Sequence, residues 1–165
     1  MDLYLIPIRN WYVGNRVTNA IKWTDAWLIG VPHVDAEHRQ LVGLLSDLQH
    51  VAIAGKPRIS TLDALVALSA YIELHFGDEE HLMQQISYPN FIIHQKVHQR
   101  FVDRVQNFAR EFRLGKTEFT DEISEFLARW IIEHIATYDV AIANFIKTED
   151  IELTASMTLP AKIPV

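Results

Sequence analysis

His75-Phe76-Gly77-Asp78-Glu79 lies in the middle of a long stretch whose apolar residues recur at helical spacing. The inward seam of that stretch reads Leu65, Leu68, Ile72, His75, Glu79, Leu82, Ile86. His75 and Glu79 are one turn apart, so on a helix they point in nearly the same direction. An imidazole and a carboxylate therefore stand where the pattern calls for buried aliphatics. Burying such groups without partners costs roughly 2–7 kcal/mol each, and more for a charge. A metal ion is the compensation that suits both.

Working outward, three more helices carry the same kind of seam. Upstream, Asp35 is placed to cap a helix with the seam Val34, His38, Leu41, Leu45, Leu48, Ala52, and Gly55 fits its stop. After a short link, the His75 helix starts at Ser60 or Thr61 and ends before Tyr88-Pro89-Asn90. A third helix, Asn90 to Leu114, presents Phe91, His94, His98, Phe101, Val105, Phe108 and Phe112, with Gly115 as terminator. Thr120 caps a fourth, reaching Lys147, with Ile123, Leu127, Trp130, His134, Tyr138, Ala141 and Phe145 along one line. Four amphipathic helices with short links give an all-α, antiparallel up-down-up-down four-helix bundle. It spans residues 20–147. Residues 1–19 read as an N-terminal extended arm and 148–165 as a C-terminal tail, while Trp23, Trp27 and Pro32 would anchor the leading chain.

The chain's 165 residues suffice for one domain with a sizeable core. Its net charge of -6, with no basic cluster, argues against nucleic acid as a partner. The absence of cysteine excludes disulfides, zinc–thiolate sites and thiolate-held iron–sulfur clusters. The apolar runs read as too interrupted for a membrane span, and Met1-Asp2 lacks the basic start of a signal peptide, so the expected location is cytoplasmic. Aromatic residues in the arm leave a protein partner or self-association open.

One histidine on a core face is ordinarily a satisfied core residue. Here all four seams carry them: His38, His75, His94 with His98, and His134. Clustered imidazoles repel when protonated and lack acceptors when neutral, and a shared metal removes both difficulties. Glu79 joins them by spacing. Asp139 does not, since five residues after His134 it lies about 140° away on a regular helix. Either it is a surface carboxylate or the helix widens there and turns it inward. Spacing alone favours the surface. His33, His50 and His81 fall outside the seams, while Asp35, Asp78, Glu80 and Glu133 neighbour the histidines and could orient an imidazole N–H.

Taken together, Val31-Pro-His-Val-Asp35-Ala-Glu-His38, His75-Phe-x-x-Glu79-Glu-x-x-Met83, His94-x-x-x-His98 and Trp130-x-x-x-His134-x-x-x-x-Asp139 resemble the hemerythrin family. The resemblance implies two iron ions, one held by His94, His98 and His134 and the other by His38 and His75. Glu79, Asp139 and an oxo or hydroxo group would bridge them. It also reverses the reading of Asp139, because the family's pattern includes that five-residue step. One departure is Ile142, where the family often carries a tyrosine.

Five imidazoles, two bridging carboxylates and one bridging hydroxide leave a single position open on a pair of six-coordinate ions. That position, on the two-histidine ion, is where O2 would bind. Leu41, Phe76, Trp130, Ile131 and Ile135, each near a ligand in sequence, are candidates for an apolar O2 pocket. The expected function is reversible O2 binding, as carrier, store or sensor, without enzymatic activity. The alternatives are a di-iron oxidase or peroxidase, and a regulatory module acting in trans.

Overall fold

A computed structural model of the chain describes residues 12–13, 16–17 and 20–153. The helices are α1 (Pro32–Ile53), α2 (Arg58–Gln85), α3 (Phe91–Arg113), α4 (Asp121–His134) and α5 (Val140–Thr148). A five-residue π turn, Ile135–Asp139, joins α4 to α5, so the last two form one interrupted fourth helix. α1 packs along α2, α2 along α3, and α4 returns beside α1, closing a four-helix bundle. Of the arm, Tyr12–Val13 and Arg16–Val17 pair as an antiparallel hairpin, β1 and β2. The rest of the arm and the tail beyond Leu153 lie outside the described residues.

The helix ends follow local chemistry. α1 begins at Pro32 rather than near Asp35, because proline's fixed φ and missing N–H suit the first helical position. Asp35 works backwards instead, its carboxylate accepting from the Ile29 and Gly30 N–H groups at 2.7 and 3.0 Å. α2 starts at Arg58, ahead of Ser60, after Pro57. The Arg58 guanidinium reaches the Phe112 and Thr117 carbonyls and Glu118, tying the start of α2 to the end of α3. Gly55 and Gly115 take φ of +59° and +70°, the left-handed stop that glycine permits. Thr120 caps α4 through its hydroxyl, which accepts from Ile123 N at 3.4 Å. Trp23 and Trp27 pack into the core, whereas Pro32 is exposed and serves to open α1.

Among the described residues, the buried apolar side chains form two clusters. The larger holds Leu41, Leu45 and Leu48 with Leu65, Leu68, Phe101, Phe112 and Ile131. The smaller gathers Val31, Val34, Leu82, Met83, Ile86, Tyr88 and Ile142. Along the four seams the buried histidines, His38, His75, His94, His98 and His134, fall between residues of one cluster and residues of the other, so a polar layer divides the core. Leu45 is fully buried in the larger cluster. We expect Leu45→Ala to cost about 2–5 kcal/mol in urea unfolding, the sum of lost transfer energy and a residual cavity.

α2 corrects one expectation. Its most apolar window reaches a mean hydropathy of 1.3, long and apolar enough to cross a bilayer by length and composition alone, a test that core helices also pass. The apolarity has a local cause, because this helix contributes Leu65, Leu68, Ile72 and Phe76 to the larger cluster and Leu82, Met83 and Ile86 to the smaller.

Candidate metal centre

α3 delivers His94 and His98 from successive turns of one face, and α4 delivers His134 opposite them. The Nε2 atom of His134 lies 3.0 Å from that of His94 and 2.9 Å from that of His98. Imidazole nitrogens about 2.1 Å from one ion and at right angles to each other stand roughly 3.0 Å apart, so this spacing is what one octahedral face requires. Glu79 closes the group, its Oε2 sitting 3.3 Å from His94 Nε2 and 3.2 Å from His98 Nε2. A second group, His38, Glu79 and Asp139, lies beside the first and shares Glu79 with it.

The π turn explains Asp139. An extra residue in the turn moves position 139 by nearly one residue's rotation, from the flank onto the face of His134. Asp139 is fully buried, with Oδ1 3.1 Å from His134 Nε2 and Oδ2 3.1 Å from His38 Nε2. One oxygen thus faces each group. The same turn corrects the seam expected beyond His134. Ile135, Asp139 and Ile142 point inward, while Tyr138 is 39% exposed and Ala141 and Phe145 are only partly buried.

His75 is buried next to His38, ring centroids 4.8 Å apart, but is a member of neither close group among the described residues. Its Nδ1 is 3.0 Å from Glu37 Oε2. Glu37 went unnoticed in the sequence, although it directly precedes His38. Of the acidic neighbours singled out there, Glu80 does meet an imidazole, His98 Nδ1 at 3.0 Å. Asp35 holds backbone instead, Asp78 is buried in α2, and Glu133 is exposed. His50 and His81 are exposed and His33 is half-buried in the first turn of α1.

Whether these residues suit metal ions can be judged from their own satisfaction. Among the described residues, both oxygens of Glu79, both of Asp139 and both ring nitrogens of His38 are buried without a properly directed hydrogen bond. So many orphaned polar atoms within one buried layer are costly in a folded protein. Donors of mixed imidazole and carboxylate type, converging at these separations, fit divalent or trivalent iron. The residues fit the group.

The domain family described as the hemerythrin HHE cation binding domain matches residues 29–142. The chain belongs to the hemerythrin family. Bacteriohemerythrin of Stenotrophomonas maltophilia (strain R551-3) is 33% identical over 125 residues, covering 76% of this chain and 80% of the relative. The hemerythrin subunit alpha of Lingula anatina is 24% identical over 124 residues, covering 75% and 93%. A crystal structure of wild-type hemerythrin matches with a TM-score of 0.71 at 26% identity, covering 75% of this chain and 95% of that one. The hemerythrin resemblance drawn from the four motifs holds, and with it the all-helical bundle.

Aromatic rings surround this hemerythrin centre. Phe76 stacks on His98 at 3.7 Å, and Trp130 and Tyr138 stack on the His134 ring at 4.5 and 5.1 Å. Leu41, Phe76, Ile131 and Ile135 are buried in the larger cluster, with Trp130 packed against it.

Electrostatics follow from burial and proximity. Burial opposes a proton on His94, yet the Asp139 and Glu79 carboxylates, 3.4 and 3.3 Å from its Nε2, outweigh it and raise its pKa to about 9. His38 is likewise raised, burial being overcome by Asp139. In His134 burial wins and the pKa falls. Burial and the Asp139 charge push Glu79 up, but the close His94 and His98 imidazoles, within 3.3 Å, prevail and bring it to about 2. Asp139 is held well below the usual carboxylate range, its burial outweighed by His134, His38 and His94.

The stability gained from the His94 proton is full below the unfolded value of 6.5 and lost as pH rises through about 9. A metal ion must displace that proton. Apparent metal affinity is therefore expected to rise with pH across this window, by up to about tenfold per pH unit for the one proton released. Chelator-competition titrations at several pH values check this, and a flat profile would contradict it.

Proposed function

We propose that this chain is a di-iron protein that binds O2 reversibly, a carrier, store or sensor rather than an enzyme. The observation that carries the reading is the wholly buried layer in which imidazoles and carboxylates from all four helices meet. In this reading His94, His98 and His134 would hold one iron and His38 and His75 the other, with Glu79 and Asp139 serving both. Two ferrous ions supply the electrons that hold O2, and the protein's part is to place and shelter them.

Each residue has a definable task. Asp139 and Glu79 carry the negative charge that balances two cations in a buried layer. Glu37, against His75 Nδ1, turns that ring so that its other nitrogen is free. Leu41, Phe76, Trp130, Ile131 and Ile135 form an apolar wall that keeps water from displacing the bound gas. The five-to-two ratio of histidine to carboxylate separates this site from carboxylate-rich oxygenase bundles, which use Glu-x-x-His turns. In this reading O2 is the ligand, there is no nucleic-acid partner and no membrane insertion, and the location is cytoplasmic.

Metal analysis with an optical spectrum, taken anaerobically after reduction and again in air, tests the proposal. Two irons per chain with a visible band that appears in air and fades on degassing is the expected result. Irreversible oxidation coupled to turnover of a reductant would favour an oxidase, and an iron-free protein would overturn the reading.

A further inference from the structure

Glu80 leans away from the metal layer, and both of its oxygens are engaged. Oε1 lies 3.0 Å from His98 Nδ1, and Oε2 accepts a hydrogen bond from Gln95 Nε2 at 2.8 Å. Gln95 and His98 are three residues apart on α3, so the α2 carboxylate spans one turn of its neighbour. On the other side of the His98 ring, Nε2 faces Glu79 and His134 at 3.2 and 2.9 Å. Phe76 lies flat against the same ring, 1° from parallel.

Its two companions are held differently. The Nδ1 atoms of His94 and His134 are buried and have no hydrogen-bond partner among the described residues. Of the three imidazoles that converge, His98 alone therefore has a carboxylate behind it. An acceptor there fixes the proton on Nδ1, leaves the Nε2 lone pair free, and makes the ring a stronger donor.

We propose that Glu80, locked by Gln95, is the positioning residue of the three-histidine position, acting through His98. The assignment rests on the metal reading above and adds to it a control on one ion and not the other. Glu37 contacts His75 of the two-histidine position, so each ion has its own carboxylate reaching in from a different helix.

The test compares wild type, Glu80→Ala and Glu80→Gln. In 15N-labelled metal-free protein, the His98 Nδ1–H resonance should be protected from solvent exchange in wild type, lost in Glu80→Ala and recovered in Glu80→Gln, which keeps an acceptor oxygen. In Co(II) titrations against a chelator, Glu80→Ala should weaken one of the two affinities about 10–100-fold and move the other less than about threefold. Glu80→Gln should fall between. Metal-free Glu80→Gln should melt as wild type does, because it keeps an acceptor for the His98 N–H, whereas metal-free Glu80→Ala should melt lower because it orphans that buried donor. Equal affinities in wild type and Glu80→Ala, or equal loosening of both ions, would overturn the assignment. An exchange pattern as expected in a wild type that binds fewer than two ions would uphold the Glu80–His98 contact while sinking the di-iron reading.

Discussion

His134→Ala is expected to take the chain from two bound irons to none. The imidazole it removes is the common neighbour of the three-histidine group, 3.0 Å from His94 Nε2, 2.9 Å from His98 Nε2 and 3.1 Å from Asp139 Oδ1. Losing it would strip one ligand from the first ion and leave Asp139 Oδ1 with only its longer contact to His94 Nε2, at 3.4 Å. Because Glu79 belongs to both groups, the second ion loses a well-held bridge as well. An orienting contact alone is worth roughly 10–100-fold in affinity, so a direct ligand shared in this way should cost more than about 100-fold. Stability moves with it. A protein holding metal at about 100 times its dissociation constant gains about 2.7 kcal/mol, and the variant should forfeit that increment. Iron analysis and thermal melting with and without metal read both effects. Two irons per chain in the variant would refute the ligand assignment.

The second large effect concerns Asp139 and the turn that carries it. Asp139→Ala should also abolish two-metal binding, since the residue presents one oxygen to His134 and the other to His38. A companion variant, Tyr138→Asp combined with Asp139→Ala, moves the carboxylate to the four-residue spacing that a regular helix would place on the His134 face. In the π turn that position is 39% exposed, so the transferred carboxylate should fail to restore metal. Recovery of two irons per chain in the double variant would mean that residues 135–139 are an ordinary α-helix in solution. Metal content decides between the two geometries.

The bundle could be read from the sequence because each helix satisfies its own local rules. Seam residues such as Leu45, Leu68 and Phe101 mark the inward face, and Gly55, Gly115 and Thr120 mark ends by backbone chemistry that depends on few neighbours. The start of α1 was misplaced because Asp35, a good capping residue, reaches back from within the first turn while Pro32 does the opening. Asp139 lay beyond any regular helical projection. One extra residue in a turn changes which residues face inward from there on, and only the whole motif signals it. Glu37 was missed for a different reason. Its contact with His75 depends on how α1 and α2 lie against each other, which no spacing within a single helix encodes.

The polar layer that divides the core into two apolar clusters has a consequence for the order in which the molecule comes apart. Each cluster stabilises its own end, and between them lie buried groups that, in the reading proposed above, bound ions would stabilise. Withdrawing the ions should uncouple the two ends, leaving the smaller cluster around Met83, Tyr88 and Ile142 to open by itself while the larger stays closed. Amide hydrogen exchange would then show two cooperative units in the metal-free chain and one in the loaded chain. Iron would thus set how many independently opening parts the bundle has.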